Sequence, residues 1–288
     1  MKKIIRPVIA GVALCFACTA ASAQEFKEHV SKEFTPSSKD SRSVFCVYNI
    51  NGNVRVEGYA GDKVTVEIDK TITAKTADVL ETGKKEFNIS FEQVGDTIFA
   101  YIAGPHDSRP RRSWHSDEDY HRIEYNYKAE FVVRVPMGLS VCASTVNNGS
   151  VDVKDVAGIL HVNNVNGPIT IENAKNTTNA RTVNGSVHVN YLANPPEKSS
   201  YSTVNGEIRI TYPASLAADV SYKTMNGEVF TDFQNTEMLP ATVSKTEDKR
   251  SQGTVYRINS ESRIRIGSGG NSLHFETLNG NIYIKKQS

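Results

Sequence analysis

Beyond residue 23 the sequence has no apolar run approaching the ~20 residues that a membrane-crossing helix requires. It has one tryptophan, four methionines and few residues in helical phase, which excludes a helical bundle. Its four cysteines include only two outside the first 23 residues, so a disulfide framework is excluded. Charge of one sign is also missing. The formal net charge is +1 with Lys and Arg dispersed, which leaves no basic footprint for nucleic acid. No Gly-x-Ser-x-Gly elbow, His-Glu-x-x-His, phosphate loop or Cys-x-x-Cys occurs.

What is present is a repeated phrase. Thr182-Val183-Asn184-Gly185-Ser186-Val187-His188-Val189 returns as Thr203–Ile210 and Thr224–Val229. Looser copies are Thr145–Val153, Val165–Ile171, Thr277–Ile284 and, far upstream, Ile50–Val56. The central glycines fall at 149, 167, 185, 206 and 227, steps of 18, 18, 21 and 21. A fixed period near 20 marks a repeat architecture whose units bury their apolar faces by stacking. After each Gly, apolar and polar residues alternate, as in a strand with one buried face. Asn and Gly tolerate positive φ, so Asn-Gly marks a corner. The corners are Asn51-Gly52, Asn148-Gly149, Asn166-Gly167, Asn184-Gly185, Asn205-Gly206, Asn226-Gly227 and Asn279-Gly280. Constant spacing favours an all-β solenoid of 18–21-residue coils, single-stranded β-helix-like, with the asparagines bridging from coil to coil. A meander of type I′ hairpins is the structural rival.

These units, preceded by a β-rich section ending in Val135-Pro136-Met137-Gly138 and by a signal peptide, resemble the DUF4097 family from about Val44 to Ile284. The resemblance implies a β-solenoid of the bacterial envelope with a proposed adhesive role. It transfers no catalytic residues.

In chain order, residues 1–23 read as a signal peptide. Lys2, Lys3 and Arg6 precede the apolar stretch Val8–Ala20, and Ala21-Ser22-Ala23 is the cleavage site. A lipoprotein anchored at Cys18 is the rival, but Cys15 stands where a lipobox places Leu. Residues 24–43 read as a polar lead-in and 44–138 as an N-terminal β region. Residues 139–288 carry the repeats, continuous with that region. A short helix is expected over Lys75–Gly83, a hairpin turn at Gly95-Asp96, and an irregular polar excursion over Gln234–Gln252. The terminal Lys285-Lys286-Gln287 is expected to blunt the last coil.

Candidate functional residues are few. Cys46 and Cys142 each lie upstream of a corner, so they form either a disulfide between neighbouring coils or two buried thiols. The segment 104–122 reads as a loop inserted into a strand pair. Its Arg111, Arg112, Trp114 and His115 could contact a glycan or partner. His106, His115 and His121 with Asp117, Glu118 and Asp119 could bind a metal, though the spacing matches no zinc pattern. Glu207 and Glu228 would stack one coil apart, the nearest approach to the paired carboxylates of a lyase or glycosidase. His161, His188 and Arg209 are exposed strand positions available to a ligand. Asp96-Thr97-Ile98 resembles an O-glycosylation acceptor. The leading function is an exported binding or structural module of the envelope, with a glycan or envelope protein as partner and no cofactor. The alternative is a carbohydrate-active enzyme.

Overall fold

The apolar-polar alternation produces strands throughout. The computed structural model of the chain describes residues 24–110, 123–250 and 253–287. Among the described residues the chain is all-β with one short helix, and the strands form two large sheets of ten and eleven strands. Each unit is centred on a corner, giving one strand to the second sheet before it and one to the first sheet after it. Val44–Tyr48 and Val54–Tyr59 are such a unit, as are Leu160–Asn163 and Ile169–Ala174. Successive units pair in parallel and in register in both sheets, for example Ile169↔Val187↔Ile208 and Leu160↔Thr178. The hairpin alternative is therefore wrong for the Asn-Gly corners.

Inward positions form columns. Val54, Val151, Ile169, Val187, Ile208 and Ile282 are fully buried in the first sheet, facing Phe45, Val141, Leu160 and Tyr201 of the second. Each such side chain contributes about 1.5–3 kcal/mol when fully buried.

The corners work differently from expectation. The ladder asparagines do not adopt positive φ; among described non-glycine residues only Asn148, Asp155 and Asn173 do. Glycine is required by close approach. A Cβ on Gly185 would stand 2.1 Å from the Gly167 carbonyl oxygen, and one on Gly227 would stand 1.9 Å from that of Gly280. That same carbonyl is bonded from inside by the threonine of the next unit. Thr203 Oγ1 donates to Gly185 O at 2.8 Å and Thr182 Oγ1 to Gly167 O at 2.9 Å. Asn164 fills this role for Gly149, at 3.0 Å. Outside, the asparagine amides form a ladder through 147, 166, 184, 205, 279 and 226, with each Nδ2–Oδ1 bond 2.7–2.8 Å long. Asn147, rather than the expected Asn148, occupies the ladder; Asn148 is an extra residue at φ 56°.

The spatial order departs from chain order at both ends. The unit of Thr97–Gly104 and Asn126–Pro136 lies outside that of Val44–Tyr59. The last unit, Asn271–Asn279 with Ile282–Lys286, slides between Ser199–Tyr212 and Ala218–Thr231. Lys285-Lys286-Gln287 therefore lies inside the stack and blunts no edge. Three further expectations change. Gln24–Phe34, read as a polar lead-in, is an eleven-residue strand antiparallel to Val64–Ala74. The excursion 234–252 contains the strand Thr236–Arg250, in a hairpin with Gly253–Ile266. The strands flanking 104–122 lie in different sheets and pair with other strands, so this segment splits no strand pair. The helix is Ala77–Glu86, capped by Thr76, and Gly95 makes the expected turn.

Three tyrosines lie buried where units 187–212 meet. Tyr191 and Tyr212 stack at 5.0 Å, and their hydroxyls reach that of Tyr201 at 2.7 and 3.1 Å. Burial raises all three phenol pKa values above the ordinary 10.0.

Two outcomes are expected. Thr203→Val keeps shape but removes a buried donor from Gly185 O, costing about 1–3 kcal/mol, whereas Gly185→Ala overpacks the corner at similar or greater cost; urea midpoints measure both. The folded phenols hold protons that the unfolded chain releases near pH 10.0. Stability is thus full below that pH and falls as pH rises above it. In a spectrophotometric titration these three tyrosines should ionise only with unfolding.

Candidate docking face

Outward residues of the first sheet form a row set by register: Arg55, Asp152, Thr170, His188, Arg209, Tyr283 and Phe230 lie on successive strands. Toward the 229–231 edge the row becomes a connected cluster. Glu207, first after its corner Gly, accepts from His188 Nε2 at 3.0 Å and from Arg209 Nε at 3.1 Å. The guanidinium of Arg209 lies 4.1 Å over the Tyr283 ring. Tyr283 in turn stacks on Phe230, with centroids 5.1 Å apart and planes 12° apart. The bond from Arg209, then that from His188, holds the Glu207 carboxyl below its usual range. It is an anion at neutral pH, with no proton to donate. Phe230 remains 39% exposed. A cation, an anion and aromatic faces in line are recognition chemistry.

Glu228 does not join Glu207. Asn281 lies between them, since Ile208 N donates to Asn281 O at 3.0 Å and Ile282 N to Glu228 O at 2.9 Å. The expected carboxylate pair is lost because the last unit intercalates. His161 is on the other sheet, 3.3 Å from Asn179 through its Nδ1, so it shares no surface with His188 and Arg209. The tyrosine and phenylalanine of the cluster were missed in the sequence. Their adjacency depends on the intercalated order, although both occupy the outward position of their repeat copies.

Arg111, Arg112, Trp114, His115 and His121 lie outside the described residues, as do Asp117, Glu118 and Asp119 and the signal peptide. The base of that loop is anchored: Ser108 Oγ donates to Tyr48 O at 2.7 Å, and Arg109 pairs with Asp107 and Glu92 over the Tyr101 ring. His106 borders a cavity of about 600 Å³ with Ile50, Tyr125, Tyr127 and Asn147. Among the described residues no group of three or more His, Cys, Asp or Glu is arranged to hold a metal ion. A second groove of about 340 Å³ is lined by Arg181, Glu276, Val204, Leu278 and Met225, among others.

Cys46 and Cys142 are register partners on adjacent parallel strands and are free thiols here. The bond to Cys142, together with burial, pushes the Cys46 thiol up. Among the described residues no helix is long and apolar enough to cross a membrane.

Residues 144–263 match the family Toastrack DUF4097, the family that the Asn-Gly units resemble. No curated protein matches the sequence. Similar solved structures include a proposed cell adhesion protein of Clostridium sporogenes, 13% identical, with 90% of this chain and 100% of that one covered and a TM-score of 0.45. A proposed adhesin of Parabacteroides merdae is 11% identical, with 91% and 97% covered and a TM-score of 0.30. A proposed lipid binding protein of Parabacteroides distasonis is also 11% identical, with 90% and 97% covered and a TM-score of 0.26.

Proposed function

We propose that this chain is a two-sheet β-solenoid exported to the cell envelope, where it acts as a non-catalytic binding module. The observation that carries the reading is the row ending in Arg209, Tyr283 and Phe230 on a rigid, repetitive face. A stack of in-register coils offers such a face at fixed spacing, suited to an extended glycan or an envelope protein. Export, to the periplasm or to the surface, rests on the n-region, apolar stretch and cleavage site of residues 1–23. No cofactor enters this reading. A glycosidase needs two carboxylates flanking one bond, one of them able to donate a proton. Glu207, ionised and held by Arg209, does not fit the acid role.

The test is an array of bacterial glycans and envelope proteins probed with residues 24–288. Arg209→Ala and Tyr283→Ala are expected to weaken the captured interaction about tenfold each, as loss of a central cation–π anchor does. Absence of any interaction, or binding that ignores both substitutions, would overturn the docking face.

A further inference from the structure

The first sheet ends on one side at Gln24–Phe34, whose eleven residues pair with Val64–Ala74 along one edge only. Among the described residues no strand covers the other edge. Long open edges attract further strands, and proteins usually blunt them with charge. Charge is present here, but its order is unusual. Residues 26–34 read Phe-Lys-Glu-His-Val-Ser-Lys-Glu-Phe. Run antiparallel to itself about Val30, this segment sets Phe26 opposite Phe34, Lys27 opposite Glu33 and Glu28 opposite Lys32. His29 then meets Ser31, and Val30 meets its own copy.

We infer that Gln24–Phe34 is a homodimer interface, in which a second copy of this chain adds edge to edge about a two-fold axis at Val30. Two constraints agree with this register. The positions in each pair sum to an even number, so partners project to the same face of the joined sheet. Phe26, Val30 and Phe34, which pack half-buried against the core, would meet their counterparts, while Lys27 and Glu33 remain on the solvent side. The next registers that keep this parity, shifted by two residues, are worse. One sets Glu25 opposite Glu33 and Phe26 opposite Lys32, and the other sets Glu28 opposite Phe34 and Val30 opposite Lys32. Like charges directly opposed destabilise a sheet, and opposite charges and aromatic pairs support it. An isologous two-fold contact requires this self-complementarity. The edge strand Asn88–Val94 of the other sheet, reading Asn-Ile-Ser-Phe-Glu-Gln-Val, has no such symmetry.

The experiment is sedimentation velocity on residues 24–288 across a concentration series, with thermal melts to confirm that each variant folds. The expected result is a reversible monomer–dimer equilibrium. Lys27→Glu sets a carboxylate against Glu33 of the other copy twice in each interface and should raise the dissociation constant about tenfold. Adding Glu33→Lys to it should restore the wild-type value, because the pair is then reversed rather than broken. Both positions are exposed, as are their in-chain partners Glu25 and Lys63, and the thermal melts register any loss from those pairs separately from dimerisation. A short bismaleimide should join Val30→Cys chains into a covalent dimer that the wild-type chain does not form. A chain that stays monomeric throughout the concentration series, a dimer indifferent to Lys27→Glu, or a Val30→Cys chain that does not cross-link would each overturn the proposal.

Discussion

The contact on which this architecture depends is the approach of each corner glycine to the carbonyl of the neighbouring coil. Parallel strands stack at about 4.8 Å, and at the corner the chain turns so tightly that only hydrogen fits between coils. Gly149 meets Gly52 O, Gly167 meets Gly149 O and Gly206 meets Gly185 O, each within 2.1 Å of a hypothetical Cβ. A carbonyl squeezed in this way is shielded from water and must be satisfied from within. The repeat's threonine does this, reaching Gly52 O from Thr145 and Gly185 O from Thr203 at 2.8 Å in each case. The asparagine ladder closes the outer side. Threonine and glycine recur together because one carbonyl per coil needs both, and asparagine recurs beside them because each amide bonds the next along the stack.

The direction of these contacts explains which coil can lack the motif. Every glycine touches the coil on the same side of it, so the first coil of the stack needs none. That coil is Thr97–Pro136, whose sequence has no Asn-Gly pair, and Gly52 faces its Ala129 O, 2.2 Å from a hypothetical Cβ. The strands outside it, Val64–Ala74 and Asn88–Val94, pair with it antiparallel and bring no corner glycine against it, so an insertion between its two strands parts no stacked corners. The same insertion at Gly185 would part the coils on both sides.

The period and the buried columns were legible because each copy repeats the same apolar positions, whatever its place in the stack. The order of the copies was not. Asn279-Gly280 and Asn226-Gly227 are equivalent units, and nothing in their residues says which touches Asn205. Everything read from adjacency inherited that ambiguity, including the Glu207–Glu228 pair and the unnoticed Tyr283–Phe230 stack. Asn147 and Asn148 posed a smaller version of it, since either satisfies an Asn-Gly pattern and only the ladder selects the first. The polar strands failed for another reason. Alternation reveals a strand through its buried face, and the distal half of the 236–266 hairpin pairs only with itself. Gln24–Phe34 keeps three half-buried apolar residues at every fourth position, too sparse to read as period two. His188 and Arg209 were readable as exposed positions, but their union through Glu207 required the register.

The two departures from chain order share a consequence. Both end coils, 97–136 and 218–231, come from chain interior to the sequence, while the last strands, 271–286, are clamped between two coils. A stack laid down strictly in order would leave its final coil held by one neighbour and free to fray or to template more strands. Here the final coil has partners on both faces of its backbone, Ser199–Tyr212 and Ala218–Thr231. The exposed end is reduced to the three-residue strand Val229–Thr231 in one sheet and is covered by the 236–266 hairpin in the other. Closure is non-local, because contacts across the 53 residues from Gly227 to Gly280 must form before the end is complete. The loop-closure entropy of that step is paid once, and it removes the open edge that repeat proteins otherwise hide with a dedicated cap.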